Sequence, residues 1–138
     1  MERFIGTKER MARPMTLGEY NTYRGWELPA NEDAASEGYL VEYQDGGKPN
    51  HPDHKGYVSW SPKDVFERTY RPNGSFQDRL NIERDELEQK LEKLQIFLNS
   101  PAALNLGAQD LNLLQRQADA MREYRSLLVQ RIALLAAQ

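Results

Sequence analysis

Two periodicities of hydrophobic and polar positions divide this chain. In residues 39–43 and 57–60, apolar and aromatic side chains alternate with other residues. A period of two is typical of strands with one buried face. The two runs are separated by the turn sequence at 45–47 and a loop rich in Gly, Pro and His, which predicts two antiparallel strands.

Short helices and an extended arm accompany these strands. The segment FIGTKERMARPM predicts a short strand or an extended arm. Thr16 and Glu19 have the spacing of a capping box, which predicts a short helix ending at Gly25. Ser61 and Pro62 are predicted as the N-cap and the first residue of another helix, which runs to about Tyr70.

After Gly74 the apolar positions recur at intervals of three and four, which is typical of helices packed by heptads. One helix is predicted over 75–99, and Pro101 interrupts it. A second is predicted from 110 to about 136. The apolar positions are Leu80, Leu87, Leu91, Leu94 and Leu98 in the first helix, and Leu111, Leu114, Ala118, Met121, Leu128, Ile132 and Leu135 in the second.

These elements predict an α+β fold: a small antiparallel sheet with short helices, followed by a long antiparallel two-helix hairpin. The turn sequence at 71–74 separates a strand-rich, aromatic, ligand-binding half at 1–72 from a helical half at 75–138. A two-helix hairpin buries little apolar surface by itself. We therefore expect a homo-oligomer with the hairpin at its interface.

Composition excludes several classes of function. The 138 residues carry 18 basic and 21 acidic side chains, a net charge of −3, and no Cys. This balance gives no electrostatic basis for binding DNA. No apolar run has the length of a membrane span, and no signal peptide is recognisable, so we expect a soluble intracellular protein without a membrane partner.

No set of residues predicts catalysis or a cofactor. A nucleophile, a base and an orienting group cannot be assembled from the sequence, and no phosphate-binding glycine motif is present. His51, Asp53 and His54 are the only metal-like cluster. A solvated loop is the favoured interpretation of that cluster, and no metal site is predicted.

Aromatic side chains are concentrated in the first half, where nine of the chain's 13 lie between Tyr20 and Tyr70. A core filled with large rings explains many of them. Two groups nevertheless place a cation beside a ring, as a nucleotide site requires. They are Arg24 with Trp26, and Trp60 with Ser61 and Lys63, where amides at the predicted helix start add an anion site.

The chain also resembles a known family over nearly its whole length. RGW, GYLVEY, DGG and SWSPK followed by VFE and YR look like a module of tailed-phage proteins. The segment from FQDRL to RIALL is similar to a second phage module of paired helices. Together they resemble the type-one Thoeris anti-defence proteins of phages.

The resemblance implies a protein that captures a signal without cleaving it. Members hold a cyclic ADP-ribose isomer away from the Thoeris effector, in the cytoplasm of the infected bacterium, and no catalytic residue or cofactor is expected. Members form dimers, which can assemble into hexamers. Some also capture cyclic trinucleotides of the cyclic-oligonucleotide systems, known as CBASS.

Residue by residue, the resemblance implies two sites. The first consists of Arg24, Trp26, Glu37, Tyr39, Trp60, Ser61 and Lys63, which would stack adenine and hold ribose and pyrophosphate. Lys90 and Arg131 are the candidates for a second, cyclic-oligonucleotide site. The alternatives are a phage structural or regulatory module that binds another protein, and a nucleotide hydrolase.

Overall fold

The computed structural model describes all residues from Met1 to Gln138 and separates into two compact units, Met1–Arg71 and Pro72–Gln138. Each unit has its own secondary structure, and the two together confirm the predicted α+β class. No helix of the protein is both long enough and apolar enough to cross a membrane.

The first unit is built on a three-stranded antiparallel sheet in the order β1, β2, β3. The strands are β1 (Met11–Pro14), β2 (Gly38–Tyr43) and β3 (Tyr57–Pro62). The register places Leu40 opposite Trp60 and Tyr39 opposite Ser61. Both predicted strands and their antiparallel pairing are confirmed, and the predicted N-terminal extended segment supplies β1.

One face of this sheet packs against helix α1 (Leu17–Arg24). The predicted capping box at Thr16 and Glu19 is present, and Gly25 ends the helix in the left-handed conformation with φ of 70°. The core of the unit contains Tyr20, Leu40 and Val58, with Met15, Tyr23 and Trp60 packed around it. Helix α2 (Lys63–Thr69) follows β3 directly.

The predicted start of α2 is wrong by one residue. Ser61 and Pro62 still belong to β3, where Pro62 pairs with Gly38. Pro62 has an extended backbone (ψ 144°) and occupies the N-cap position, and no side chain caps the helix. Strand pairing therefore continues one residue beyond the serine that the sequence marks as a cap.

The second unit is the predicted helical hairpin. Helix α3 (Phe76–Leu98) begins with a capping box from Ser75, and α4 (Ala108–Ala136) follows a short 3₁₀ turn at Pro101–Asn105. Arg131, near the end of α4, lies over the ring of Phe76 at the start of α3, so the helices run antiparallel. Leu80, Leu91, Ala118 and Leu128 are buried between them, as the heptad pattern predicts.

Candidate functional site

The end of α1 forms a shelf in which a guanidinium lies on an indole. Gly25 turns the chain back, and the Trp26 amide donates to the carbonyl of Asn21 at 2.8 Å. This C-terminal cap folds Trp26 against the last turn of the helix. The Arg24 guanidinium carbon is then 4.2 Å from the centre of the Trp26 ring. We call Arg24 and Trp26 the indole shelf.

The indole shelf has an exposed ring face and unused hydrogen-bond donors that a ligand could contact. Trp26 is 53% exposed, although large apolar rings are usually covered. Arg24 donates to the hydroxyl of Tyr20 at 2.8 Å and forms no ion pair with any carboxylate. Because a guanidinium has five N–H donors, most of its hydrogen-bonding capacity is available for an anion.

A second group of predicted residues lies at the other end of α1. Glu37, Tyr39 and Lys63 line a recess of about 410 Å³, together with Glu19 and Glu67 among others. Lys63 Nζ lies 3.4 Å from Glu37 Oε2, and the Tyr39 hydroxyl donates to Glu67 Oε1 at 2.7 Å. We call this the carboxylate recess.

The carboxylate recess suits hydroxyl groups better than phosphates. Its three glutamates face one lysine, so its charge is negative at neutral pH. The hydrogen bond to Glu67, with smaller effects of burial and nearby carboxylates, raises the pKa of Tyr39 above its usual value. Carboxylate oxygens accept hydrogen bonds from ribose hydroxyls, whereas a pyrophosphate would be repelled.

Trp60 belongs to neither place. Its indole N–H donates to the Met15 carbonyl at 2.8 Å, and its ring lies against Gly38, where an added Cβ would be 2.4 Å away. Trp60 is partly buried beside the core. Ser61 points from the opposite face of β3, as alternation along a strand requires. Base stacking on Trp60 therefore stays a prediction that competes with a packing role.

The indole shelf and the carboxylate recess lie at opposite ends of α1. That helix has eight residues, so its ends are about 12 Å apart along the axis. The structure thus brings Arg24 to Trp26, and Glu37 to Tyr39 and Lys63, but separates the two groups by the length of the helix. The expected anion site at the start of α2 is weakened, because the Lys63 amide donates to the Glu37 carbonyl.

We call the loop that carries His51, Asp53 and His54 the histidine loop. It is not the solvated loop that the sequence suggested. The side chains of His51 and His54 are only 12% and 15% exposed. His51 stacks on Tyr23 with ring centres 4.1 Å apart, and His54 Nε2 lies 2.7 Å from the Tyr23 hydroxyl. The loop is therefore fixed to α1. No group of three or more potential ligands is arranged to hold a metal ion.

A hydrogen-bonded chain runs from Tyr23 through His54 to Glu42, and the sequence analysis missed it. His54 Nδ1 is 2.7 Å from Glu42 Oε2, and the Gly56 amide donates to the other oxygen at 3.1 Å. The bond with His54 is the main cause that lowers the pKa of Glu42. Tyr23 and His54 are 31 residues apart, so no local spacing could have indicated their contact.

This contact predicts a pH dependence of stability. A carboxyl group whose pKa is lower in the folded state stabilises the fold above its ordinary pKa of about 4.3, and that contribution is lost as the pH falls. We expect the free energy of unfolding, measured by urea denaturation at about pH 6 and about pH 3.5, to be smaller at the lower pH. In Glu42→Gln this decrease should be smaller.

The exposed Glu27 provides the matched control for this experiment, since it forms no hydrogen bond or ion pair. Glu27→Gln should retain the pH dependence of the unchanged protein. An identical pH dependence in Glu42→Gln and Glu27→Gln would contradict the role assigned to the Glu42–His54 contact. Asp45, whose pKa is lowered chiefly by its bond with Lys8, should supply part of the remaining dependence.

In the helical unit the two predicted second-site residues lie far apart. Arg131 lies 5.7 Å from the centre of the Phe76 ring, and Phe76 is 51% exposed. Lys90 is 14 residues further along α3, which corresponds to roughly 21 Å. One chain therefore does not bring Lys90 and Arg131 into a single site.

Helix α4 also carries an apolar stripe that the hairpin leaves uncovered. Leu113, Ala120, Leu127 and Leu134 follow one another at intervals of seven residues and lie along one side of the helix. The three leucines are 51%, 49% and 69% exposed. We call these four residues the outer stripe. Tyr124, which lies between them, is 43% exposed.

An aromatic shelf with a free cation, and a recess that suits ribose, are features of a protein that binds a small nucleotide-like ligand. Comparison of the sequence with models of known protein families gives one match. Residues 74–134, a little under half of the chain, match the family model Sequestin. The matched helical part is similar to the Sequestin family, the family of phage Thoeris anti-defence proteins that sequester cyclic ADP-ribose signals, which confirms the resemblance. Neither the curated proteins nor the solved structures contain a match.

Proposed function

We propose that this protein binds cyclic nucleotide immune signals and withholds them from their effectors without cleaving them. The first signal class is the glycocyclic ADP-ribose isomers of Thoeris, and the second is the cyclic trinucleotides of CBASS. The Sequestin match supports a sequestering anti-defence role. Such a protein would act in the cytoplasm of the infected bacterium, where the signal is made.

The observation that carries this proposal is the indole shelf. An exposed ring offers a face to adenine, and a guanidinium without a carboxylate partner offers donors to a pyrophosphate. Arg24 and Trp26 provide both within 4.2 Å. The carboxylate recess, with Glu37, Tyr39 and Lys63, is the place that we assign to ribose hydroxyls.

The deciding experiment is calorimetry of the full chain with cyclic ADP-ribose isomers and with a cyclic trinucleotide. We expect binding below about 1 μM for at least one isomer, because a captured signal must be held against its effector. The protein is then heated, and the released ligand is analysed by chromatography. Intact ligand is the result expected of capture.

Other results would contradict the proposal. Cleaved ligand would establish a hydrolase instead. A folded protein without affinity for any of these ligands would favour the structural or regulatory module, whose partner is another protein.

Neutralising the cation of the indole shelf should weaken capture. Arg24→Gln is expected to reduce affinity for the cyclic ADP-ribose isomer about tenfold to a hundredfold, the scale for losing hydrogen bonds to a charged group. Calorimetry measures this change. Arg68→Gln is the matched control, since Arg68 is an exposed arginine of the same unit that pairs with Asp64. Equal affinity of the two variants would place the anion contact elsewhere.

The oligomer is part of the proposal. The outer stripe is the surface of α4 that a second copy would cover, because leucines repeated every seven residues pack well against another helix. A dimer, or a hexamer built from dimers, could also bring Lys90 of one copy close to Arg131 of another. Residues of different copies would meet where those of one chain do not.

The second ligand site follows from that arrangement. Arg131 with the half-exposed Phe76 repeats the combination of a cation and a ring seen in the indole shelf. We assign cyclic trinucleotides to Arg131 and to Lys90 of a neighbouring copy. Arg131→Gln should lower affinity for a cyclic trinucleotide by about tenfold. It should leave affinity for the cyclic ADP-ribose isomer unchanged.

A further inference from the structure

The histidine loop borders an open cavity in the first unit that is separate from both the indole shelf and the carboxylate recess. The cavity has a volume of about 520 Å³. Sites for small molecules usually have between about 300 and 1,000 Å³. Its lining consists of Met11, Ala12, Arg13, Tyr23, Leu40, Glu42, Asp53 and His54.

Two polar residues of the lining, Glu42 and His54, already form hydrogen bonds within the protein. Both oxygens of Glu42 accept hydrogen bonds, one from His54 and one from the Gly56 amide. The lowered pKa of Glu42 keeps it ionised at neutral pH, so its oxygen accepts from the Nδ1–H of His54. The Nε2 of that ring lies 2.7 Å from the Tyr23 hydroxyl oxygen. Glu42 and His54 thus position Tyr23 rather than face a ligand.

Three polar groups remain for a ligand. Arg13 lies 5.4 Å above the centre of the Tyr23 ring and has no carboxylate partner. Asp53 keeps 75% of its side chain exposed, and its Oδ2 is 4.0 Å from His51 Nδ1. The Tyr23 oxygen, which is bonded to His54 on one side, still offers a lone pair. A guanidinium, a carboxylate and an acceptor oxygen therefore surround an apolar floor of Met11 and Leu40, which lie on the same face of the sheet as Arg13.

The geometry points to a guanine base as the occupant of this cavity. Guanine presents two neighbouring N–H donors, at N1 and N2, to a carboxylate such as Asp53. Its O6 and N7 are paired acceptors for a guanidinium such as Arg13, as in the commonest arginine–guanine contact. The flat ring covers the apolar floor, and the Tyr23 oxygen accepts a further donor from the base or ribose.

Adenine does not fit the same set of groups. It has a single exocyclic amine, flanked by ring nitrogens that are acceptors, so a carboxylate facing this edge meets one donor and one repelling lone pair. The ligand is a free guanine nucleotide rather than a nucleic acid. The first 74 residues carry 10 basic and 12 acidic side chains, which gives no tract of positive charge for a phosphate backbone.

Calorimetry of the full chain with GMP, IMP and AMP tests this assignment. GMP is expected to bind with a dissociation constant below about 0.1 mM. AMP should bind at least about tenfold more weakly. IMP, which keeps O6, N7 and N1–H but lacks the amine at C2, should fall between them. Equal affinity for GMP and AMP, or no binding of GMP, would overturn the proposal.

Variants separate the base contacts from effects on folding. Asp53→Asn should lose most of the preference for GMP over AMP, and Arg13→Gln should weaken GMP binding about tenfold or more. Both residues are at the surface, so their circular dichroism and unfolding midpoints should be unchanged. Glu27→Gln is the control for loss of one exposed carboxylate. Full GMP affinity and selectivity in both variants would show that the cavity is not the guanine site.

The result is independent of signal capture, because none of the three nucleotides is a cyclic ADP-ribose isomer. A protein that captures the cyclic signal but ignores GMP would retain the proposed function and lose this site. A protein that binds GMP selectively but no cyclic signal would retain the site and lose the proposed function.

Discussion

Replacing Trp60 with alanine is expected to lower the free energy of unfolding of the first unit by about 3 kcal/mol, within the range for removing a packed tryptophan. The change removes the contact of the indole with Gly38 and the edge of the core, and it leaves the Met15 carbonyl without its donor. For a unit of this size the midpoint of thermal unfolding should fall by at least about 10 °C. Calorimetric or circular dichroism melting curves measure this shift.

The chain's other tryptophan provides the matched control. Trp26 is 53% exposed and lies outside the core, so Trp26→Ala should change the free energy of unfolding by less than about 1 kcal/mol. It should instead weaken binding of the cyclic ADP-ribose isomer by about 1–3 kcal/mol, the scale for stacking a base on an aromatic ring. Trp60→Phe, which keeps a ring in the core, should recover most of the lost stability.

This pair of substitutions decides between two roles that the sequence could not distinguish. If Trp60→Ala retains the unfolding midpoint of the unchanged protein and loses ligand affinity, Trp60 stacks a base as the resemblance implies, and the packing role is wrong. If Trp26→Ala keeps full affinity, the indole shelf is not the anchor of the signal. Each single variant retains one tryptophan, so its fluorescence reports separately on the remaining site.

Elements that are governed by local rules could be predicted from the sequence. The capping box at Thr16 and the left-handed Gly25 each depend on residues within one turn of each other. The heptad pattern placed Leu91 and Leu128 in the interior, where both are almost fully buried. Ser61 is the exception, because pairing with Tyr39 on a neighbouring strand prevailed over its local preference for a helix cap.

Contacts between distant parts of the chain could not be predicted. The histidine loop was interpreted as solvated because no pattern of supporting residues is visible around it in the sequence, yet both rings pack on Tyr23 of α1. Tyr39 was recognised as a candidate, but its stacking on Phe66, with ring centres 4.3 Å apart, arises only because α2 follows β3 across the sheet. Both arrangements depend on the tertiary fold rather than on spacing.

The candidate site was predicted in composition but not in arrangement. The motif RGW indicated a cation beside a ring, and the left-handed glycine between them is the reason that they meet. The motif SWSPK suggested that Trp60, Ser61 and Lys63 act together. Alternation along β3 instead places Trp60 and Ser61 on opposite faces. Adjacent residues of a strand therefore divide between the core and the surface.

The outer stripe provides the physical case for an oligomer. Covering one leucine removes apolar surface worth about 1.5–3 kcal/mol from water. In a two-fold symmetric pair each residue of the stripe is covered twice, once in each copy. Leu113, Leu127 and Leu134 are each about half exposed or more, so most of this free energy is not gained within the hairpin. A glutamate in the centre of the stripe would place two charges in the interface.

Leu127→Glu is therefore expected to raise the dissociation constant of the oligomer by about tenfold to a hundredfold from the loss of two half-exposed leucines, and further from the two charges placed in the interface. Sedimentation velocity at micromolar concentrations should show monomers in place of dimers or hexamers. Val129→Glu is the matched control, because Val129 is 47% exposed on another side of α4 and should leave the assembly intact. Equal masses for the two variants, or a monomeric unchanged protein, would contradict the outer stripe as the interface. Binding of the cyclic trinucleotide should disappear with the oligomer, if the proposed site takes Lys90 and Arg131 from different copies.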